Sequence, residues 1–375
     1  MHFSLSEEQE LIRSSARDFC DREIVPHVRD WDREEDIDRA LVQKLADVGY
    51  LAGWELDTLS YALVMEELGR ADSSVRGIVS VNVGLVGKTI AKWGTDEQKQ
   101  EWLAKLGSGE ALGCYALTEP GSGSDPSSLA TRARRDGDDW VLSGSKIFIT
   151  LGSWAGVALV FARTSDDGAR GVTCFLVPTE TEGFNAARIK GKLGLRAQDT
   201  AELTLDGVRV PDANRLGAVG DGFKVAMSAL DNGRISLAAG CVGIAQGCLD
   251  ACLRYAAERQ QFGKPIASHQ LVQELIADMA VETDAARLLT WRAASLADGG
   301  VRHTLESSIA KYYASEASVR AANAAVQVHG GYGYIDEYPV GKYLRDARVT
   351  TLYEGTSQIQ KLIIGRALTG ESAFV

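Results

Sequence analysis

The sequence predicts an α+β protein of three consecutive parts. These are an N-terminal helical domain over residues 1–114, a β-domain over 115–218 built as an antiparallel sheet or barrel, and a C-terminal helix bundle over 219–375. Three observations predict it. Apolar residues recur at helical spacing at both ends of the chain, and short β-branched runs fill the middle. No helical pattern intervenes between those runs, which favours antiparallel strands over parallel βαβ units.

The first helix begins at once in "SLSEEQELIRSSARDFC", where Ser6 and Gln9 form a capping box and Leu11, Ile12, Ala16 and Phe19 share a face. "DTLSYALVMEELGRA" repeats the pattern with Leu59, Leu63 and Leu68. "GTDEQKQEWLAKLGSG" opens on a Thr95/Gln98 capping box and is expected to stop at Gly107. The strands are read in "WVLSGSKIFIT", "GVALVFAR", "GVTCFLVP" and "AELTLDGVRVP". Then "NGRISLAAGCVGIAQGCLDACLRYAAERQQFG" reads as a helix buried on most sides, and two amphipathic helices of bundle length follow.

Composition narrows the function classes. Of 375 residues, 24% are charged and 45% hydrophobic, the usual range for a globular protein. A net charge of −11 argues against nucleic-acid binding, which needs a basic surface. The six cysteines are scattered without a C-x-x-C pair and read as buried, reduced thiols. The five histidines show no metal-ligand spacing, so no metal site is expected. No signal peptide is read, and no apolar run is expected to reach the ~18 residues of a membrane span. A cytoplasmic location follows as an expectation.

Three tempting motifs fail on spacing. "VNVGLVGKT" carries Asn82 where a Walker A needs its first glycine, and it reads as helix. "GGYGY" lacks the spacing of a dinucleotide loop. There is no G-x-S-x-G for serine acyl transfer.

Four stretches carry chemistry. "CYALTEPGSGSDPSSLATRA" gathers Thr118, Glu119, Gly121, Ser122, Gly123, Ser124 and Asp125 in one loop. Its glycines admit a ligand close to the backbone, and its N–H and hydroxyl groups suit a phosphate. "RQQFGKPIASHQ" ends a long helix with a cation, an aromatic ring and amides, and "QVHGGYGYIDEYP" is a glycine-rich break between helices. "TLYEGTSQIQ" delivers Glu354 onto a glycine and a helix start. By itself Glu354 reads as a capping acid, since a carboxylate before a helix start is favoured by the dipole.

Together these stretches resemble the acyl-CoA dehydrogenase family over essentially the whole chain. "YALTEPGSGSD" and "QVHGGYGYIDEYPVGKYLRDARVTTLYEGTSQIQ" look like its two signatures. The resemblance implies FAD as cofactor and an acyl thioester as substrate. It implies that Tyr115, Leu117 and Thr118 line the flavin ring, with Phe148 and Thr150 flanking it. Gly123 and Ser124 match positions beside the FAD pyrophosphate or the thioester. Arg259, Phe262 and Gln270 match residues that grip FAD from a neighbouring subunit, and Gln327, Gly330 and Gly331 a contact on its adenosine side. Thr356 and Gln358 match FAD contacts just past the base. A shared site implies a homodimer or homotetramer.

Glu354 matches the family's catalytic base in its short- and medium-chain members, with its backbone N–H a donor to the thioester oxygen. An α-C–H beside a thioester is a weak acid, so its base needs a dry pocket and the carbonyl needs donors. Some subfamilies place the base in an L-D-x-E-R segment. Here that segment is "LDNGR", with Gly233 at the acid's position, which supports Glu354. Asp231 and Arg234 match positions near the thioester, though an i,i+3 salt bridge explains them as well. Tyr353 and Gly355, either side of the base, match substrate positions.

Two departures bear on substrate. After Trp54 the chain lacks several residues of a loop that most members carry. Arg76 matches an arginine that holds the distal carboxylate in the glutaryl-CoA dehydrogenase subfamily, yet Gly69 replaces the glutamate usual seven residues before it. Arg76 therefore reads as a surface charge, as a partner of Glu66, Glu67 or Asp72, or as a carboxylate anchor. The expected reaction is α,β-dehydrogenation of a short or branched acyl-CoA, with α-proton removal by Glu354 and hydride transfer to flavin N5. A dicarboxylyl-CoA or an acyl group on a carrier protein are alternatives, and a non-catalytic flavoprotein or acyl-thioester binder is a reading of another class. Electron-transfer flavoprotein is the implied acceptor, and fatty-acid or amino-acid catabolism the implied setting.

Overall fold

A computed structural model describes residues 4–374. The first part is helical: α1 (Glu7–Glu23), α2 (Val28–Glu34), α3 (Ala40–Asp47), α4 (Thr58–Ala71), α5 (Ser73–Val79), α6 (Lys88–Trp93) and α7 (Asp96–Ser108). Both expected capping boxes form, at Ser6/Gln9 and Thr95/Gln98. Two expectations need correction. Leu11 is exposed, and α1 buries Ala16, Phe19 and Cys20 instead. Helix α7 runs through Gly107 to Ser108 and ends at Gly109, whose φ of 75° suits glycine. Between α5 and α6, "SVNVGLVG" is a π-helix over Ser80–Gly87, not a phosphate loop.

The middle part holds β1 (Gly113–Ala116), β2 (Arg132–Asp136), β3 (Asp139–Thr150), β4 (Val157–Arg163), β5 (Val172–Pro178), β6 (Phe184–Arg188), β7 (Thr200–Pro211) and β8 (Arg215–Leu216). They form one sheet in the order β6-β7-β3-β2-β4-β5-β8, with β1 on β4. The purely antiparallel expectation is corrected, because β1 and β2 both run parallel to β4. The β2–β3 hairpin lies between β1 and β4 in sequence, so a long crossover joins them and parallel pairing becomes possible. The short strands β1, β2 and β6 escaped the sequence reading. Two of them, "RARRD" and "FNAAR", are largely exposed and carry little alternation.

The C-terminal part holds α8 (Gly222–Glu258), a small hairpin of β9 (Gln260–Gln261) and β10 (Lys264–Pro265), then α9 (Gln270–Asp298), α10 (Thr304–His329), α11 (Val340–Thr350) and α12 (Ser357–Thr369). Helix α8 is the central post, packed on α4, α9 and α10. It is long and apolar enough to cross a membrane, contrary to the expectation of no such run, and 89% of that stretch is buried inside the fold. Small residues let α4 and α8 cross at backbone contact. A Cβ at Gly69 would lie 2.3 Å from the Gly240 carbonyl oxygen, and one at Gly243 2.0 Å from that of Glu66. The crossing brings α5, α8, α10 and the turn between α11 and α12 together around one buried cluster of charged side chains. All six cysteines are buried and unpaired.

Candidate active site

Helix α11 ends at Thr350, and α12 begins at Ser357 with Thr356 as its N-cap, the hydroxyl accepting from Ile359 N at 3.3 Å. The cap is therefore the threonine, and the capping-acid reading of Glu354 is corrected. Glu354 and Gly355 both adopt left-handed backbone, φ 54° and 88°. Such a conformation in a glutamate is strained and recurs at functional sites. The residue is half-buried, but its Oε2 is inaccessible and has no hydrogen-bond partner. The carboxylate reaches toward α8, where a Cβ at Gly233 would lie 2.5 Å from Oε2. Glycine in "LDNGR" thus makes the space the acid occupies. Burial raises the pKa of Glu354 above the usual carboxylate value, while Arg76, Lys311 and Arg234 pull it back.

Those cations come from three helices. Arg76 on α5 is 3% exposed, so the surface-charge reading is corrected. Nor does a neighbouring acid hold it. Glu66 pairs with Arg287 at 2.9 Å, Glu67 with Arg70 at 2.6 Å and Asp72 with Lys342 at 2.7 Å. No side chain fits at Gly69, so that position cannot supply an acid here. Arg76 Nη2 donates to Tyr353 Oη at 2.9 Å, and its buried Nη1 has no acceptor. On α8, Arg234 pairs with Asp231 at 2.7 Å, as expected of an i,i+3 pair. Asp231 also accepts from Thr304 Oγ1 at 2.9 Å, and the Arg234 Nε is left unpartnered.

The residues expected at the flavin ring meet along the exits of β1 and β3. The Thr118 carbonyl accepts from Ile147 N at 2.9 Å, and that of Leu117 from Lys146 Nζ at 3.2 Å. Lys146 also pairs with Glu119 at 2.7 Å, both buried. Burial pushes the lysine down to about 8 despite its partner. Glu119 accepts further from the N–H groups of Ala130 and Thr131, tying the far end of the Gly/Ser loop to its start. A β-bulge falls between Lys146 and Ile149 in the β3–β7 pairing. It turns Phe148, φ 59°, so that its ring is 65% exposed. Thr150 Oγ1 accepts from Gln198 Nε2 at 3.1 Å, and Tyr115 Oη donates to the Ala226 carbonyl at 3.2 Å. Gly123 and Ser124 lie exposed in the loop.

Arg259, Gly330 and Gly331 meet elsewhere, in a groove of about 500 Å³ that Tyr255, Gln261 and His329 also line. The guanidinium of Arg259 sits 5.6 Å above the Tyr332 ring. Phe262, Gln270 and Gln327 face solvent outside that lining, Phe262 at 93% exposure. Gln358 is also exposed, and the Thr356 hydroxyl is occupied by its cap. One chain therefore carries two separate sets of residues. An exposed ring flanked by hydroxyls suits a planar heterocycle. Open backbone at Gly121, Gly123, Gly330 and Gly331, where a Cβ would meet nothing within 4 Å, suits a pyrophosphate and its ribose. The residues present fit FAD.

The sequence reading missed Tyr61, whose buried hydroxyl has no partner, and Lys311, Lys146 and Gln360. Lys311 left a signal. It shares the buried face of α10 with Ser307, Ser308, Ala314, Ser315 and Ser318, where a lysine is out of place.

Comparison with known proteins gives the class, an oxidoreductase of acyl-CoA substrates. Sequence profiles described as the N-terminal, middle and C-terminal domains of acyl-CoA dehydrogenase match residues 6–110, 114–208 and 220–369. The chain is 44% identical over 369 residues to the mitochondrial short-chain specific acyl-CoA dehydrogenase of Mus musculus, covering 96% of this chain and 90% of that one. Butyryl-CoA dehydrogenase from Megasphaera elsdenii superposes with a TM-score of 0.96 at 38% identity, over 98% of this chain and 100% of that one. A glutaryl-CoA dehydrogenase from Mycobacterium smegmatis, in complex with FADH2, gives 0.95 at 36% identity, over 99% and 97%. The chain belongs to the acyl-CoA dehydrogenase family, whose members are FAD-dependent.

Proposed function

We propose that this enzyme desaturates a short-chain acyl-CoA, with Glu354 as the base that takes the α-proton. The observation that carries the proposal is the Glu354 carboxylate itself: buried, unpartnered, and held on a left-handed turn against Gly233. A base kept dry with a raised pKa is suited to a weak carbon acid. The Glu354 N–H has no protein acceptor among the described residues, so it is free to donate to the thioester oxygen as charge grows there. FAD, when bound, supplies the acceptor for the β-hydrogen. Tyr115, Leu117, Thr118, Phe148 and Thr150 would hold its ring. Arg259, Gly330 and Gly331, with Phe262, Gln270 and Gln327 nearby, would receive the adenosine end from a partner subunit. On this reading the protein works as a homodimer or homotetramer, and an electron-transfer flavoprotein takes the electrons.

A second reading has its own observation. The buried, acceptor-free Nη1 of Arg76 is a site for an anion, and a substrate carboxylate would satisfy it. That reading favours a dicarboxylyl-CoA.

The test is an anaerobic screen of acyl thioesters for bleaching of the flavin absorbance. It should include butyryl-CoA, branched acyl-CoA, glutaryl-CoA and a butyryl carrier protein. Bleaching by butyryl-CoA supports the first reading, and a clear preference for glutaryl-CoA the second. Bleaching by none of them, in a protein that holds FAD, would defeat both. Loss of FAD and of assembly together in Arg259→Ala is the expected sign of a shared site, and cell fractionation checks the cytoplasmic location.

A further inference from the structure

Lys311 stands fully buried on α10, and its Nζ donates to the Gly355 carbonyl at 2.8 Å. Gln360 on α12 reaches the same place, its Nε2 lying 3.1 Å from the carbonyls of both Glu354 and Gly355. One turn of α10 beyond, Glu316 accepts from Ser357 Oγ at 2.6 Å. The strained turn that carries Glu354 is thus docked on α10 at two points and gripped by both of its carbonyls. A left-handed glutamate persists only where its surroundings leave no other choice.

An uncharged amide already holds both carbonyls, so a carbonyl grip alone does not explain an ammonium. Burying a cation is costly unless its charge is used. Around Glu354 stand Tyr61 from α4, Arg76 from α5, Tyr115 from β1, Arg234 from α8, Lys311 from α10 and Tyr353 from its own turn. Arg234 is engaged by Asp231 and Arg76 by Tyr353, whereas Lys311 has no acidic partner within salt-bridge reach among the described residues.

We propose that Lys311 is a positioning residue for the reaction: it fixes the Glu354–Gly355 turn and, together with Arg76 and Arg234, sets a positive charge beside the base. The inference rests on Glu354 being the base. Burial favours the protonated acid, and a nearby cation opposes it. Without Lys311 the carboxylate would hold its proton to higher pH, and the turn would lose one of its two grips.

The experiment uses the FAD-loaded enzyme with the thioester that bleaches it best, and compares Lys311→Met with Gln360→Leu. Flavin content and melting temperature are recorded beside kcat and kcat/KM from pH 5 to 10. Lys311→Met should retain FAD, lose about 10²-fold in kcat, as for a misplaced reacting group, and move the acidic limb of kcat/KM up by about one pH unit. Gln360→Leu should lower the rate and leave the limb where it was. A folded Lys311→Met enzyme with an unmoved limb overturns the proposal, whatever its rate. Should it not fold, Lys311→Gln takes its place under the same criterion, and failure of both variants to fold makes the lysine structural and also overturns it. Glu354→Gln, tested in parallel for exchange of the substrate α-proton with D2O, separates the two ideas. Retained exchange defeats the base, whereas lost exchange with an unmoved limb defeats Lys311 alone.

Discussion

Gly233→Ala is a one-carbon test of the pocket. The new Cβ would fall 2.5 Å from Glu354 Oε2, 2.9 Å from Leu85 Cδ2 and 3.2 Å from Glu354 Cδ. Ordinary contact begins near 3.4 Å, so the carboxylate must retreat by roughly 0.9 Å, and a reacting group misplaced by about 1 Å costs about 10²-fold in rate. The atom displaced most is the far end of a flexible side chain, so the fold gives way cheaply. Alanine is also the better residue inside a helix, by ~1 kcal/mol. The expected signature is therefore a split: kcat down about 10²-fold, with flavin content and melting temperature equal to or above those of the wild type. Steady-state oxidation of butyryl-CoA with an artificial electron acceptor reads the first, and a thermal melt of the same sample reads the second. An alanine variant with undiminished kcat would refute the placement of the base against α8. One that loses its flavin would show that the glycine serves the cofactor instead.

Glu354→Gln should hold FAD and lose at least ~10²–10⁴-fold in turnover. Its stability should depend on pH in a defined sense. Burial raises the folded pKa of Glu354, so the stability linked to its proton is complete below the unfolded value and is lost as pH rises through the folded one. The glutamine, neutral throughout, should accordingly melt above the wild type at pH 8, with the gap closing toward acid. Arg76→Met should leave butyryl-CoA oxidation standing and, if the arginine receives a carboxylate, lower the glutaryl-to-butyryl ratio of kcat/KM. An unchanged ratio in a wild type that prefers butyryl-CoA would leave Arg76 as Tyr353's partner only. Glu119→Gln breaks the buried pair with Lys146 and should cost about 3–5 kcal/mol in urea unfolding, with flavin loss preceding global unfolding. Joint replacement of both residues by apolar ones should restore only part of that stability, because the N–H groups of Ala130 and Thr131 and the Leu117 carbonyl then lose their partners.

Much of this protein is local in origin. The helical ends and strand-rich middle follow from apolar spacing. The caps at Ser6 and Thr95 follow from residues three apart, and the buried character of α8 from its run of small and apolar residues. The carboxylate in "LYEGTSQ", and the glycine in "LDNGR" that makes room for it, could be paired through a family resemblance before either was located. Other features depend on which helices cross. Arg76 looks like any helical arginine until α4 and α8 meet at Gly69 and Gly240, leaving it inside with its neighbouring acids turned to other cations. The parallel pairing of β1 on β4 and the outward Phe148 arise from register between strands far apart in sequence. Lys311 and Gly355 are separated by 44 positions, and nothing near either one announces the bond between them. Short-range pattern records what a segment prefers. Burial of a charge, and the partner it finds or lacks there, is a property of the space that several distant segments enclose together, so only the tertiary structure decided the electrostatics of this pocket.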